Sequence, residues 1–238
     1  MSFYAYSITA QGPDQEDIAA YCREKGVVAC IYPTSDGYTV FSHEEGTEVE
    51  HVTQIAQEVS RTFGCTAMAL HNWDDDVLFY WLYQSGEKLD EYDSCPDYHD
   101  FAWVNVPPRG PLGGDATVIC KAFGRPAAAP LVDTILHDKT RGKDGATLTF
   151  PELFRSSYAE PLDDFRHRFA QACLEGGVGE HAAAASMTDG IGSERERHAA
   201  LIAALGMPAF ASSFEYDDAA DGCISEGYEE KIIWTSLE

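Results

Sequence analysis

Positive charge is what this chain has least of. Only 16 Lys and Arg stand against 40 Asp and Glu in 238 residues, a formal charge of -24 at pH 7. The carboxylates run through most of the chain rather than collecting in a tail. Such a field repels phosphate backbones and anionic lipid, so direct binding to nucleic acid or to a membrane surface is not expected. No apolar run approaches the ~20 residues that span a bilayer. The opening stretch MSFYAYSITAQGPD carries no basic segment leading into an apolar one. A cytoplasmic protein without an ordinary export signal is the expectation.

Catalytic fingerprints are missing too. There is no CxxC, HExxH, GxSxG, Walker loop or dinucleotide glycine fingerprint, so no reaction or cofactor is announced by a motif. The eight histidines include no pair with a third ligand at zinc spacing. The cysteines, Cys22, Cys30, Cys65, Cys95, Cys120, Cys173 and Cys223, are odd in number and scattered. All but Cys95 and Cys223 fall in apolar segments, where a reduced thiol acts as a small hydrophobe, and a reducing compartment is the economical reading.

What is present is enough apolar material for a large core: 45% of residues are hydrophobic and 12% aromatic. FYAYSIT (3–9) reads as a strand. Asp14 opens a helix with Ile18, Tyr21 and Cys22 on one face, ended by Gly26. VVACIY (27–32) and YTVFS (38–42) read as strands joined by a Pro/Ser/Asp/Gly turn. Thr47 with Glu50 has the spacing of a capping box, before Val52, Ile55, Ala56, Val59 and Phe63 at helical spacing and a stop at Gly64. CTAMALHN (65–72) is the next strand. This β-α-β-β-α-β order predicts an α+β fold with a ferredoxin-like N-terminal lobe, both helices on one face of an antiparallel sheet.

A β-hairpin extends that lobe, with VLFYWLY (77–83) and EKLDEYD (87–93) as its arms. PPRGPLGGD, from Pro107, is the candidate connector, giving expected domains of 1–106 and 107–238. Beyond it a mainly helical C-terminal lobe is expected, with helices near 115–123, 130–138, 151–159, 161–175 and 194–205 and a short last strand at 231–235. Ser193 with Glu196 forms a second capping box.

Two stretches, GGDATVICKAFGRPAAAPLVDTIL and ERHAALIAALGMPAFASSFEY, are similar to segments of a family of bacterial proteins of unknown function. They lie there downstream of an acidic hairpin like DDDVLFYWLYQSGEKLDEYDSCPDY. The resemblance covers residues 70 to 216 or so and implies a bacterial cytosolic protein. It implies no activity, substrate or catalytic residue.

The chemistry is concentrated in 71–100, where nine carboxylates surround Lys88 and alternate with aromatics. Three readings compete. Asp74, Asp75, Asp76, Asp90, Asp93 and Asp97 can steer a basic partner, with Tyr80, Tyr83, Tyr92 and Tyr98 supplying contact area; a nucleic-acid mimic is the narrower variant. Alternatively Asp74, Asp76, Asp90 and Asp93 hold a divalent cation for an enzyme or ligand-binding domain, as oxygen donors suit Ca²⁺ and Mg²⁺. The plainest reading makes them solvated carboxylates that keep a sheet edge from pairing. A purely structural subunit would instead oligomerise through an apolar face.

Cys95 and His99 have the spacing of a thiol–imidazole dyad, but Asp93, Asp97 and Asp100 disfavour a thiolate. The glycine-rich turns before 115 and 194 precede helix N-termini where Asp115, Glu194 and Glu196 already serve the free N–H groups, so anion binding is not expected there. The preferred reading is a non-catalytic interaction module with a basic protein partner, no cofactor and no reaction.

Overall fold

The computed structural model describes residues 4–46, 48–96, 110–137, 171, 193–213, 216–222, 224, 228 and 231–236. Eight strands form one open antiparallel sheet in the order β7-β6-β5-β4-β1-β3-β2-β8. They are β1 (Tyr4–Gln11), β2 (Ala29–Ile31), β3 (Tyr38–His43), β4 (Thr66–Trp73), β5 (Val77–Gln84), β6 (Glu87–Asp93), β7 (Leu112–Gly113) and β8 (Ile233–Thr235). Six α-helices are described: α1 (Gln15–Lys25), α2 (Val49–Phe63), α3 (Ala116–Ala122), α4 (Ala129–Leu136), α5 (Glu194–Leu205) and α6 (Tyr216–Ala220).

The described residues fall into two compact units. One gathers Tyr4–His71, Tyr80–Leu89 and the described residues from 213 onward; the other gathers Asn72–Phe79 and the described residues between Asp90 and Ser212. Strands β4, β5 and β6 contribute to both. Of the connector expected from 107, only 107–109 lie outside the described residues, and the rest supplies β7 and the cap of α3; the helices expected at 151–159 and 161–175 lie outside them apart from Gln171.

In the first unit α1 and α2 bury their apolar stripes on one face of the sheet. Ile18, Ala19, Tyr21 and Cys22 of α1 and Val52, Ala56 and Val59 of α2 meet Ile8, Ala10, Ala29, Ile31, Phe41, Ala67, Ala69 and Tyr83. Alanines at four of those strand positions keep the sheet surface low where the helices lie. Each large side chain so buried contributes about 1.5–3 kcal/mol relative to exposure. The register Ile8↔Phe41 through Gln11↔Tyr38 sets Thr9 and Ser42 on the opposite face. There Ser7, Thr9 and Ser42 are buried, with hydroxyls that meet no partner among the described residues.

The ends of α1 are written locally. Asp14 accepts from the Asp17 N–H at 2.9 Å, and its own N–H donates to the Asp17 carboxylate at 3.2 Å. Gly26 ends the helix at φ 68°, donating to the Arg23 and Cys22 carbonyls. α2 ends on Gly64 in the same left-handed conformation, but its first turn differs from expectation. Its N-cap is Glu48, which makes no side-chain cap bond, and Thr47 lies outside the described residues.

The β5–β6 turn has Ser85 at φ 51° and Gly86 at φ 88°, the geometry of a two-residue hairpin. Glycine is required at the second position, because a Cβ there would lie 2.8 Å from the Arg61 side chain. The tip is pinned to α2: Gln57 Nε2 donates to the Gly86 carbonyl at 2.8 Å, and the Gly86 N–H donates to Ser60 Oγ at 2.9 Å.

Candidate functional site

The second unit builds an acidic cleft of about 610 Å³ from β6, β7, α3 and α4, lined by Asp90, Gly113, Gly114, Asp115, Asp133 and His137 among others. Its frame starts at the β6–β7 pairing, Tyr92↔Gly113 and Asp93↔Leu112. Gly113 and Gly114 have φ of 72° and 81°. A Cβ on Gly113 would stand 1.9 Å from the Glu91 carbonyl oxygen, and one on Gly114 would stand 2.8 Å from the Tyr92 ring. Only two consecutive glycines let the chain cross this edge and turn into α3.

Asp115 follows. Its side chain caps α3 by accepting from the Thr117 and Val118 N–H groups at 2.9 and 3.1 Å, and its own N–H donates to Asp90 Oδ2 at 2.8 Å. Across the cleft Asp133 and His137 stand four apart on α4, with Asp133 Oδ1 3.0 Å from His137 Nδ1. His137 Nε2 lies 2.9 Å from the Gly113 carbonyl, so both ring nitrogens face acceptors and the ring ties α4 to β7. It also meets Tyr92 edge to face, the centroids 6.4 Å apart.

The end of α4 is held from far along the chain. Tyr92 donates its hydroxyl to the Leu136 carbonyl at 2.5 Å. Arg197 of α5 donates from Nη1 to the Ile135 and Leu136 carbonyls and from Nε to Glu194 at 2.8 Å. Both members of that ion pair are buried, at 4% and 3% exposure. Glu194 is therefore a buried partner of Arg197 and not, as expected, a carboxylate serving the free N–H groups of α5.

The carboxylates singled out in the sequence are dispersed. Asp74 and Asp75 form the β4–β5 turn at φ 56° and 59°, with the Asp76 N–H donating to the Trp73 carbonyl. Aspartate tolerates this left-handed conformation better than most side chains. Asp75 also accepts from the Arg195 N–H at 2.5 Å, while Ser193 accepts from the Glu196 N–H at 3.2 Å. The anion position at the start of α5 is thus filled by a carboxylate 120 residues away in sequence. Asp76 is exposed. Asp90 belongs to the cleft, and Asp93 accepts from the Cys95 N–H in its own loop at 2.9 Å. Asp97, Tyr98 and His99 lie outside the described residues.

The tyrosines face inward. Tyr80, Tyr83 and Tyr92 are 0%, 6% and 2% exposed, so none of the three offers contact area; the exposed residues of β6 are Glu87, Lys88, Leu89 and Glu91. Among the described residues no three His, Cys, Asp or Glu side chains come together to hold a metal ion, Asp74, Asp76, Asp90 and Asp93 included. Cys22, Cys30, Cys65 and Cys120 are free thiols. Burial pushes the thiols of Cys22 and Cys120 up to about 12 and that of Cys65 to about 11, which leaves them protonated and poor nucleophiles. No described helix is long and apolar enough to cross a membrane.

Asp133 and His137 were not singled out from the sequence. Their i, i+4 spacing within APLVDTIL and the following His was the available signal. Comparison with protein-family models, with curated proteins and with solved structures finds no match to this chain.

Proposed function

We propose that the protein is a non-catalytic interaction module that takes a positively charged segment of another protein into the acidic cleft. The observation that carries this reading is the composition of the cleft: Asp90, Asp115 and Asp133 line it, with no Lys or Arg among its lining residues. Asp115 and Asp133 are exposed, and each commits only one oxygen to the protein. A Lys or Arg side chain entering the cleft is attracted by all three, and the net charge of -24 extends that attraction outward as steering. The small Gly, Ala and Pro side chains along the walls leave room for an extended backbone. Asp74, Asp76 and Asp93 add to the field, and Tyr92 supports the cleft by holding the end of α4.

The same reading takes the β4-β1-β3-β2 core with α1 and α2 as a ferredoxin-like lobe, the later part of the chain as a mainly helical one, and the cytoplasm as the compartment. The free thiols and the reciprocal packing of both helices on one sheet face support it.

The test is binding of a fluorescent octalysine peptide to the wild-type chain and to an Asp90→Asn/Asp115→Asn/Asp133→Asn variant. Asparagine keeps the α3 cap, so the fold is retained. Loss of three partly exposed charges, each about 0.2–1 kcal/mol, lowers the affinity about tenfold. Equal affinity for the two chains would contradict the reading.

A further inference from the structure

The acidic cleft holds a side chain that can itself become a cation. His137 is part of the lining, and both of its ring nitrogens lie at hydrogen-bond distance from an oxygen: Nδ1 is 3.0 Å from Asp133 Oδ1, and Nε2 is 2.9 Å from the Gly113 carbonyl. A carboxylate and a carbonyl only accept. A neutral imidazole has one N–H to give and keeps a lone pair on its other nitrogen, whereas the doubly protonated ring donates from both. Only the charged ring makes both bonds at once.

The two bonds reach different elements. One ties α4 to β7, and the other closes an i, i+4 pair on α4 itself. Asp133 is 60% exposed and His137 29%, so the carboxylate that a cationic partner would meet is the one the ring already holds. Imidazole is also the side chain whose charge changes between pH 5 and 8.

The groups around the ring keep their charges over that range. From β6 come Asp90 and Tyr92, the tyrosine hydroxyl committed to the Leu136 carbonyl. The start of α3 contributes Asp115, and α4 contributes Asp133. At this end of α4 the helix α5 places Arg197, on the Ile135 and Leu136 carbonyls, with its opposite charge Glu194. His137 is thus the one group lining the cleft that switches the cleft's charge near neutral pH.

From this geometry we infer that His137 is a tethered competitor of the cationic partner and makes its binding pH-dependent. The inference rests on the acidic cleft being the cation site and adds the regulation of that site. With two protons the ring bridges Asp133 and Gly113 and offsets one of the three carboxylates. With one proton it leaves an acceptor open and brings no positive charge, and an incoming Lys or Arg takes the position. Binding and protonation oppose each other, and the opposition is reciprocal: the peptide must drive a proton off the ring as much as the proton weakens the peptide.

The test measures octalysine affinity from pH 5.5 to 8 for the wild-type chain, His137→Gln and His51→Gln, together with the ring nitrogen resonances of His137 in the wild type, free and peptide-bound. Burial holds His43 and His198 neutral over this range, lowered to about 4 and about 3. His51, exposed in the first unit, controls for the change in overall charge. Affinity should rise roughly two- to fivefold with pH in the wild type and in His51→Gln, the effect of one part-exposed charge, and stay level in His137→Gln. Bound peptide should move the His137 titration midpoint to lower pH. The inference is overturned by a level wild-type profile, by an equal slope in His137→Gln, or by a midpoint that is unmoved or raised. If the Asp90→Asn/Asp115→Asn/Asp133→Asn variant still loses affinity in those cases, the cleft remains the cation site and only its regulation by His137 fails. If that variant binds as the wild type does, both fail together.

Discussion

The two units close their helices in different ways. In the unit of α1 and α2 the backbone groups at the helix ends find partners a few residues away: Asp14 with Asp17, Gly26 with Arg23 and Cys22, Gly64 with Ser60. In the unit of α3, α4 and α5 there are local caps at Asp115, Ser193 and Gly206, but the start of α5 and the end of α4 are also met from a distance. Asp75 reaches the start of α5, and Arg197 and Tyr92 reach the end of α4. Local capping makes each helix its own unit of stability. Distant capping makes several elements depend on one side chain, and that interdependence is what fixes the walls of the acidic cleft.

Cutting the distant bonds should therefore cost more than cutting the local ones. Arg197→Met leaves Glu194 as an uncompensated buried charge and frees two α4 carbonyls, so urea denaturation should show a loss of about 3–5 kcal/mol. Adding Glu194→Leu should recover part of that loss, since a buried pair replaced as a pair is far less costly than one half of it.

Acid titration probes each unit through a buried histidine. His43 in the first unit is lowered to about 4. His198 in the second, fully buried in α5, is lowered to about 3 by burial, with the Ala211 backbone opposing. Both bind a proton in the unfolded chain near 6.5 but not in the folded one. Their contribution is thus complete above pH 6.5 and is lost as pH falls toward the folded values. Between pH 6.5 and 4 each removes about 3 kcal/mol at 1.4 kcal/mol per pH unit. His198→Leu should flatten the profile by about half in that window; an unaltered slope would show that His198 does not titrate this way.

Tyr92→Phe removes one distant bond to α4 and should cost about 1–3 kcal/mol by leaving the Leu136 carbonyl short of a donor. Asp14→Ala, its local counterpart on α1, should cost about 1 kcal/mol. A larger loss for Asp14 than for Tyr92 in matched melts would reverse the comparison. At the small end, Thr9→Val removes a buried hydroxyl that meets no partner and should raise stability by up to about 1 kcal/mol.

The same contrast explains what the sequence made legible. The strands and helices between residues 4 and 73 fall within two residues of their expected positions at nearly every end, because alternation, helical spacing and glycine stops are local signals. Asp115 and Ser193 were readable as caps for the same reason. The acidic stretch was not readable in this way. Asp75 and Asp90 look alike in sequence, yet one serves α5 and the other the start of α3, and nothing near either residue names its partner. Tyr92 alternates with charges as an exposed residue would, yet it is buried, whereas Tyr80 lies in the continuous apolar run VLFYWLY, whose burial was readable from the sequence. The cleft at His137 depends on two glycines crossing the β6 edge and on a ring bonded 24 residues back, a juxtaposition that only folding creates.

The most direct measurement is the imidazole spectrum of His137 during titration with octalysine, at low and then at physiological salt. His137 touches both Asp133 and the β7 backbone, so a cationic segment in the cleft must move its resonances saturably, and salt must weaken the effect. Binding of the peptide with His137 unmoved would place the cationic partner elsewhere on this acidic chain and contradict the acidic cleft as the functional site.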